Sequence, residues 1–463
     1  MTIMVENEIR SRLTRPAPRL AGLCALVVGM GDSGQWATEL LLREGAKVLA
    51  HDNDRAKQAA LRRQWEPRGV RFHFDALKPM HGVDFCVISP GVPPFGAFYS
   101  WLKQADIPLL GEMELACRFL NRPILAVTGT NGKTTVTNMI EHILNRCGYR
   151  AEAAGNVGRP VAQVAVEGVR ECGDPLVLEV SSFQCETFEQ FRAQAAVITN
   201  LAPDHLDRYA SLRQYYETKF RIAMNQAPDG ALWMGPRVEG DCPEWAPSRR
   251  RTFAVDVLGP DGVFYSNGEA ILRDGSKEER QSWPSFAKQL PQHVLNALAA
   301  AGMAVSFGAP LLEALRALDS FQPLPHRLEF AGEVKGIRCY DDSKATNVHA
   351  VEAALRSLPP PIRLIAGGRA KGDSLDPLLS LIREKVIAVY LIGEAAEAFA
   401  RAWETITQVH LEKTLEEAVH HALRDGRPGE SLLLSPACAS WDMFKNYAER
   451  GERFKQAVKE YKE

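Results

Sequence analysis

Three stretches of the chain repeat one pattern: a short apolar run, a turn rich in glycine or polar residues, then apolar residues at helical spacing. A run that is apolar on both faces and passes directly into an amphipathic helix fits a parallel sheet covered by helices. In such a sheet the turns leaving the carboxyl ends of the strands gather on one edge, where ligands bind. The first stretch has Leu23–Val28, the turn Gly29–Gly34 and helical spacing through Trp36–Arg43. It continues with Lys47–Ala50, ending at Asp52, and Phe85–Ser89, ending at Pro90–Gly91. The second has Ile124–Val127, the turn Thr128–Thr135, a helix to about Cys147, then Leu176–Val180 and Ala195–Thr199. The third has Ile337–Tyr340, Ile362–Ala366, Val386–Ile392 and Ser431–Leu434.

Between the second and third stretches, residues 229–291 read as short runs broken by Pro, Gly and Trp, a small β-rich part. Helices are predicted at Gln292–Val305 and Pro310–Leu318. The two prolines of Gln322–Pro325 then mark an extended linker. At roughly 150 residues per domain, 463 residues make about three domains. The boundaries predicted are 1–111, 112–323 and 324–463, with the Arg-rich residues 1–19 as a solvated tail.

Composition narrows the function classes. Apolar residues are 46% and charged residues 24%, which excludes disorder and leaves ample core. Lys plus Arg total 55 against 57 Asp plus Glu, a net charge of −2. No global basic field exists to hold nucleic acid or an anionic membrane, so any anionic substrate must be held by local groups. The nine cysteines include no C-x-x-C pair and are odd in number, which predicts neither a zinc site nor a disulfide framework. With no apolar leader and no uncharged stretch long enough to span a bilayer, a cytoplasmic protein is expected, with no membrane insertion.

The strongest chemical motif is Thr128-Gly129-Thr130-Asn131-Gly132-Lys133-Thr134-Thr135. Backbone N–H groups of such a loop cradle phosphates, the following helix N-terminus favours negative charge, and Lys133 reaches the terminal phosphates. The Thr134 hydroxyl is a candidate Mg²⁺ ligand. Val127 stands where the commoner loop has its first glycine, so this is a shortened form. Glu179, at the end of its strand, is placed to hold a hard cation against a nucleotide; otherwise it is a satisfied polar strand end. Asp204-His205-Leu206-Asp207-Arg208 offers a metal ligand or an acid–base group, or is simply a capped loop. Lys219, by itself, reads as a surface lysine.

Gly29-Met30-Gly31-Asp32-Ser33-Gly34 fits G-x-G-x-x-G, with Asp52 at the end of the next strand. NAD, another nucleotide and an unoccupied structural turn all use that geometry, and NAD would make the chain an oxidoreductase. In the third stretch three polar turns follow strands: Tyr340–Asn347, Gly367–Gly372 and Leu434–Ser440. They are expected on one edge of one sheet.

Taken together, these strings resemble the Mur ligases of bacterial peptidoglycan synthesis. The shortened phosphate loop is shared with folylpolyglutamate ligases, whereas Asp341–Asn347 and Leu434–Asn446 are similar to Mur members that add D-glutamate. The resemblance runs from about Leu20 to near the C-terminus. It implies a Rossmann-like N-terminal domain, a P-loop-type central ATPase domain with a parallel sheet, and a Rossmann-like C-terminal domain that closes over ATP. It implies an ATP-dependent amide ligase joining D-glutamate to UDP-N-acetylmuramoyl-L-alanine through an acyl phosphate, with ATP and two Mg²⁺ ions. A monomer is expected. Another Mur-type or folylpolyglutamate-type ligase is the alternative within this chemistry.

By the same resemblance, Asp32, Ser33, Gly34, Asp52, Asn53, Ser89 and Gly91 fall where the uridine diphosphate is held, and Asn156 and His205 face the muramoyl substrate or the metals. Gly129–Thr135, Asn296, Arg327 and Asp342 fall around ATP, and Thr134, Glu179, His205 and a carbamylated Lys219 around Mg²⁺. Lys133, His205, Lys219 and Lys344 fall at catalytic positions, and Thr346, Lys371, Ser440 and Tyr447 in the amino-acid pocket. Asp32 would repel a pyrophosphate unless its side chain points away.

Overall fold

The computed structural model describes residues 8–74, 77–168, 173–205, 208–246, 249–288, 291–370, 372 and 374–461. Three sheets carry the predicted α/β architecture. The first is fully parallel, in the order β3-β2-β1-β4-β5: Arg71–His73, Lys47–His51, Cys24–Val28, Phe85–Ile88 and Leu109–Gly111. The second has nine strands. Its parallel part is β12 (Gly262–Ser266), β11 (Arg250–Val255), β10 (Ala231–Met234), β9 (Ala195–Ile198), β6 (Ile124–Thr128), β8 (Leu176–Glu179) and β7 (Glu152–Gly155). An antiparallel hairpin, β13 (Glu269–Asp274) and β14 (Lys277–Ser282), closes its edge. The third sheet runs β15-β16-β20-β17-β18-β19, from Glu329–Val334 and Ile337–Asp341 through Ser431–Leu434 to Ile362–Gly367, Val386–Ile392 and Gln408–Leu411. All its pairs are parallel except β15 with β16.

In each sheet the chain passes from one side of a strand to the other: β1 lies between β2 and β4, β6 between β8 and β9, and β20 between β16 and β17. Such switch points open a crevice at the strands' carboxyl ends. The glycine turn, the phosphate loop and the Leu434–Ser440 turn follow those three strands, so the topology places all three motifs at crevices.

Residues 229–291 are β-rich as expected: the strands β10 to β14 fall here, and they extend the central sheet. Trp233, Phe253 and Val263 are buried and hold these strands to the core, while most of the Pro and Gly residues among them sit in the connections. The strands β3, β5, β7, β15 and β19 are absent from the sequence reading; four of them have only three or four residues, too few for a periodicity to register.

Residues 8–19 are not a solvated tail. A helical turn at 8–12 leads to Leu13, which is buried, as is Leu20. Ala17 N donates to Arg118 O, Arg118 Nη1 donates to Leu13 O at 2.9 Å, and Arg15 N donates to Gln190 Oε1.

The chain divides into two compact units. The first holds the described residues up to Ser320 except 202–204 and 288–294, which belong with 321–461 in the second. Within the first unit one apolar cluster joins the first two sheets, with Leu40 and Leu41 of the helix Asp32–Arg43 in the same core as Val161 and Val164 of the helix Val161–Glu167. Beside it lies a buried polar node. The Glu114 carboxylate, fully buried, accepts from the successive amides of Glu189, Gln190 and Phe191 at 3.2, 3.0 and 3.0 Å and pairs with Arg118 at 2.6 Å. Among the described residues no helix is long and apolar enough to cross a membrane.

Because removing Glu114 leaves three amides unsatisfied and buried Arg118 with only the half-exposed Glu189 carboxylate at 3.2 Å, Glu114→Ala is expected to cost about 3–5 kcal/mol. Urea unfolding, followed by tryptophan fluorescence, should show the midpoint for the first unit fall while the second unit's transition stays in place.

Candidate active site

The phosphate loop leaves β6 and opens the helix Lys133–Arg146. It is pinned from the adjacent strand: Thr130 N donates to Asn200 O and Asn131 N to Asn200 Oδ1, both at 3.0 Å. In return, Thr199 Oγ1 and Asn200 Nδ2 donate to Asn131 O at 2.6 and 2.9 Å. Gly129 holds φ +139° directly against Thr199, where a Cβ would collide with Thr199 Oγ1. Asn296 Oδ1 lies against Gly132, 2.6 Å from where a Cβ would stand, so the predicted nucleotide residue is at the loop. The helix has no side-chain cap at its N-terminus. Its first amides are therefore directed at the crevice as anion donors.

Two lysines converge on this loop. Lys133 Nζ donates to Gly129 O and Thr130 O at 3.0 and 2.9 Å. Lys219 Nζ donates to the same Gly129 O at 2.9 Å and sits 4.6 Å from the Tyr215 ring centroid. Lys219 is 1% exposed, so the surface-lysine alternative is overturned. The helix Leu212–Phe220, capped by Ser211, carries Tyr215 and Lys219 one turn apart, which puts both on the loop side. His205 has its ring 4.7 Å from Phe183 and 6.3 Å from Tyr215, in the same neighbourhood. Its neighbours Leu206 and Asp207 lie outside the described residues.

Glu179 stands beside Val127 in the β6–β8 register, one residue short of Thr128 and the loop. It is 2% exposed. Asn156 Nδ2 donates to Glu179 Oε1 at 2.9 Å, while Oε2 is buried with no hydrogen-bond partner among the described residues, as is the Thr128 hydroxyl. A buried carboxylate oxygen left unpaired is costly unless a cation or a donor completes it. The donor set here, a carboxylate with nearby threonine hydroxyls, is what a hard divalent cation takes. These residue types fit a hard divalent cation such as Mg²⁺.

In the first sheet, Asp52 is spent on the glycine turn: Oδ2 accepts Met30 N and Oδ1 accepts Asp54 N, each at 2.7 Å. Ser89 Oγ donates to Gly29 O at 2.7 Å, and Gly34 packs so closely on Gly29 O that a Cβ would collide with it. Asn53 Oδ1 accepts from His51 Nε2 at 2.9 Å, and burial lowers the His51 pKa. The helix Asp32–Arg43 begins at Asp32 without a side-chain cap, leaving Ser33 and Gly34 amides free for an anion. Asp32 itself is exposed. Glu112, fully buried and accepting Ala162 N at 2.6 Å, is pushed up to about 7 by burial, with the charge of Asp32 adding to the rise. Gly91 follows in the loop after β4.

In the second unit the three polar turns do meet on one sheet edge. Ala437 N donates to Ala345 O, Gly367 N to Pro436 O, and Arg369 and Ala439 exchange backbone bonds. Asp342 accepts Leu328 N at 3.1 Å and Ser435 Oγ at 2.8 Å, so both oxygens are used within the unit. Burial pushes its carboxyl up to about 7; Ser435, Leu328 and the charge of Arg327 pull the other way. Lys344 Nζ lies 3.8 Å from the centroid of the Tyr447 ring, joining a predicted catalytic lysine to a predicted pocket residue. Ser440 is buried and Thr346 half-buried on the same edge, and Lys371 lies outside the described residues. Sequence reading missed the group that ties this edge together: Arg450, fully buried, donates to Ser343 Oγ, Ser343 O and Cys438 O. It also missed Thr199 and Asn200, although their position just past an apolar strand was a usable signal.

Two tests follow. A Gly129→Ala chain should fold yet lose nucleotide binding, measured by titration with a fluorescent ATP analogue, because the new methyl displaces the Thr199 tie. For Asp342, a folded-state pKa of about 7 against an unfolded 3.8 gives stability present below about pH 4 and lost as pH rises towards 7. Thermal unfolding of Asp342→Asn should therefore show a smaller decline than wild type between about pH 4 and 7, with the two parallel above that range.

Two family models match the chain: Mur ligase middle domain over residues 127–236, and Mur ligase, glutamate ligase domain over residues 326–438. The chain is 39% identical over 449 residues to the UDP-N-acetylmuramoylalanine--D-glutamate ligase of Geotalea uraniireducens, covering 94% of this chain and 96% of the relative. It is 38% identical over 450 residues to the enzyme of the same name from Geobacter metallireducens, covering 95% and 98%. Among solved structures, a pseudomurein peptide ligase type C from Methanothermus fervidus superposes with a TM-score of 0.58 at 16% identity, covering 95% of this chain and all of that one. UDP-N-acetylmuramate-alanine ligase from Thermotoga maritima does so with a TM-score of 0.55 at 18% identity, covering 95% and 100%. These two share the fold. By its identity to near-full-length relatives, the chain belongs to the Mur ligase family, among the UDP-N-acetylmuramoylalanine--D-glutamate ligases.

Proposed function

We propose that this chain is an ATP-dependent, ADP-forming ligase that joins D-glutamate to the L-alanyl carboxylate of UDP-N-acetylmuramoyl-L-alanine in peptidoglycan precursor synthesis. The observation that carries the chemistry is the unpartnered Glu179 oxygen beside a phosphate loop whose backbone conformation is fixed by Thr199 and Asn200. The eight described cysteines are unpaired, in keeping with a reducing cytoplasm.

A carboxylate resists attack by an amine because its leaving group would be oxide. Transfer of a phosphoryl group to the alanyl carboxylate supplies a better leaving group; the glutamate amine then forms the amide bond and phosphate departs. Lys133 brings its ammonium to the loop's rim, where charge builds on the transferring phosphoryl group, and the loop amides hold the remaining phosphates. Mg²⁺, when bound, would neutralise phosphate charge. We assign Thr134 and Glu179 to one ion, and His205 with a carbamylated Lys219 to a second. Lys219 favours this because carbamylation replaces a buried cation, now held on Gly129 O, by an anionic oxygen ligand.

Asp32, Ser33, Gly34, Asn53, Ser89, Gly91 and Asn156 are assigned to the UDP-sugar substrate. Asp52 serves it by stiffening the turn, and exposed Asp32 contributes its amide end of the helix rather than its carboxylate. The roles of Asn296, Arg327, Asp342 and Lys344 toward the nucleotide, and of Thr346, Lys371, Ser440 and Tyr447 toward D-glutamate, rest on the motifs that carry them. The domains 1–111, 112–323 and 324–463 are proposed as the modules for UDP, ATP and amino acid.

The test is phosphate release with ATP, Mg²⁺ and UDP-N-acetylmuramoyl-L-alanine, run separately with D-Glu, L-Glu, L-Lys and diaminopimelate, with product mass checked. Turnover is expected with D-Glu alone; turnover with another amino acid moves the specificity, and none with any of them overturns the reading. Lys133→Ala should lower kcat by a factor of about 100 or more. Stripping carbon dioxide and bicarbonate from the buffer should lower the wild-type rate reversibly, and an unchanged rate would remove the carbamate from the scheme.

A further inference from the structure

The central sheet has a second edge. Opposite the phosphate loop, the amino ends of β6, β9, β10 and β11 and the far end of β13 border a cavity of about 560 Å³. That volume is in the range of small-molecule sites, ~300–1,000 Å³. Its charge is one-sided: Arg15, Arg122, Arg192, Arg249 and Arg251 line it against Asp229 and Asp274.

The internal partners do not balance this charge. Arg122 is committed to Glu152 and to the carbonyls of Asp174 and Pro175. Arg249 and Arg251 share the single carboxylate of Asp274, at 3.3 and 2.8 Å. Arg15 holds the segment before β1 in place through Leu120 O and Gln190, yet its Nη1 is buried with no hydrogen-bond partner among the described residues. Arg192 is exposed at the rim. A buried guanidinium nitrogen without an acceptor is costly, and several forked donors around one cavity match phosphate oxygens. Ile124, Ala193, Leu272 and Val305 add apolar lining between the arginines.

We propose that this groove is a second anion site, for a phosphorylated small molecule of nucleotide size bearing at least two negative charges, with Arg15 and Arg192, which have no carboxylate partner among the described residues, as its phosphate donors. The site lies on the face of the sheet edge away from the loop, so it does not depend on the assignment of the ligase reaction.

The full chain carrying Lys133→Ala, which weakens phosphate binding at the loop, is titrated calorimetrically with inorganic tripolyphosphate and, separately, with ADP. Binding of at least one probe is expected, about tenfold weaker or more when Arg15→Gln and Arg192→Gln are added. Binding of both assigns recognition to the phosphate chain, and of ADP alone to a nucleotide. If neither probe binds at millimolar concentration, or if affinity is the same in the added variants, the proposal is overturned. Should Arg15→Gln impair folding, judged by the melting temperature, the exposed Arg192→Gln alone must weaken binding at least threefold, and equal affinity overturns the proposal. On the wild-type background, Arg192→Gln should leave basal turnover unchanged.

Discussion

The tie between the end of β9 and the phosphate loop is the contact on which the site depends. Thr199 and Asn200 exchange four hydrogen bonds with Thr130 and Asn131, and these fix a loop that has given up the first glycine of the commoner form. With the loop held from outside, its own sequence need not do all the work of turning the chain. The carbonyl of Gly129 is then left facing two lysines, and both Lys133 and Lys219 fold onto it. A chain with net charge −2 thus concentrates cationic charge at one point by hydrogen bonding its lysines to a carbonyl, without any broad basic field.

Legibility from sequence tracked the physical range of each interaction. The motifs at β1, β6 and β20 were readable because strand, turn and helix are contiguous in the chain, and topology alone brings them to switch points. The convergence of the three turns in the second unit was readable for the same reason: parallel strands deliver their exits to one edge. Lys219 was unreadable from the residues themselves. Its burial follows from a helix packing across ninety residues of sequence onto Gly129, and no local pattern encodes that distance. Resemblance singled it out where periodicity could not. Arg450 was missed for a related reason, since an arginine in an amphipathic helix reads as solvated until three acceptors from other segments surround it.

The strands β10 to β14 show a further limit. Local signals marked this stretch as β-rich, and the pairing of β10 with β9, with Trp233, Phe253 and Val263 buried, makes it continuous with the central sheet. Breakers report where the chain bends and say nothing about which sheet it rejoins. The same extension creates the amino-end edge where Arg249 and Arg251 sit, so these strands also shape a surface far from the loop.

An acid lies at each of the three crevices, and their hydrogen bonding separates scaffold from chemistry. Asp52 uses both oxygens on Met30 and Asp54 amides. Asp342 uses both on Leu328 and Ser435, at a buried position that raises its pKa to about 7. Each of these carboxylates is satisfied by its own unit and acts by holding a turn in shape. Glu179 has one oxygen on Asn156 and one on nothing among the described residues, although it is more deeply buried than either of them. Folding alone would favour closing that second oxygen with a donor, as it does at the other two positions. Leaving it open beside a phosphate loop costs stability that a bound cation would recover, and this is why we propose the metal at Glu179 and not at the acids that share its topological position.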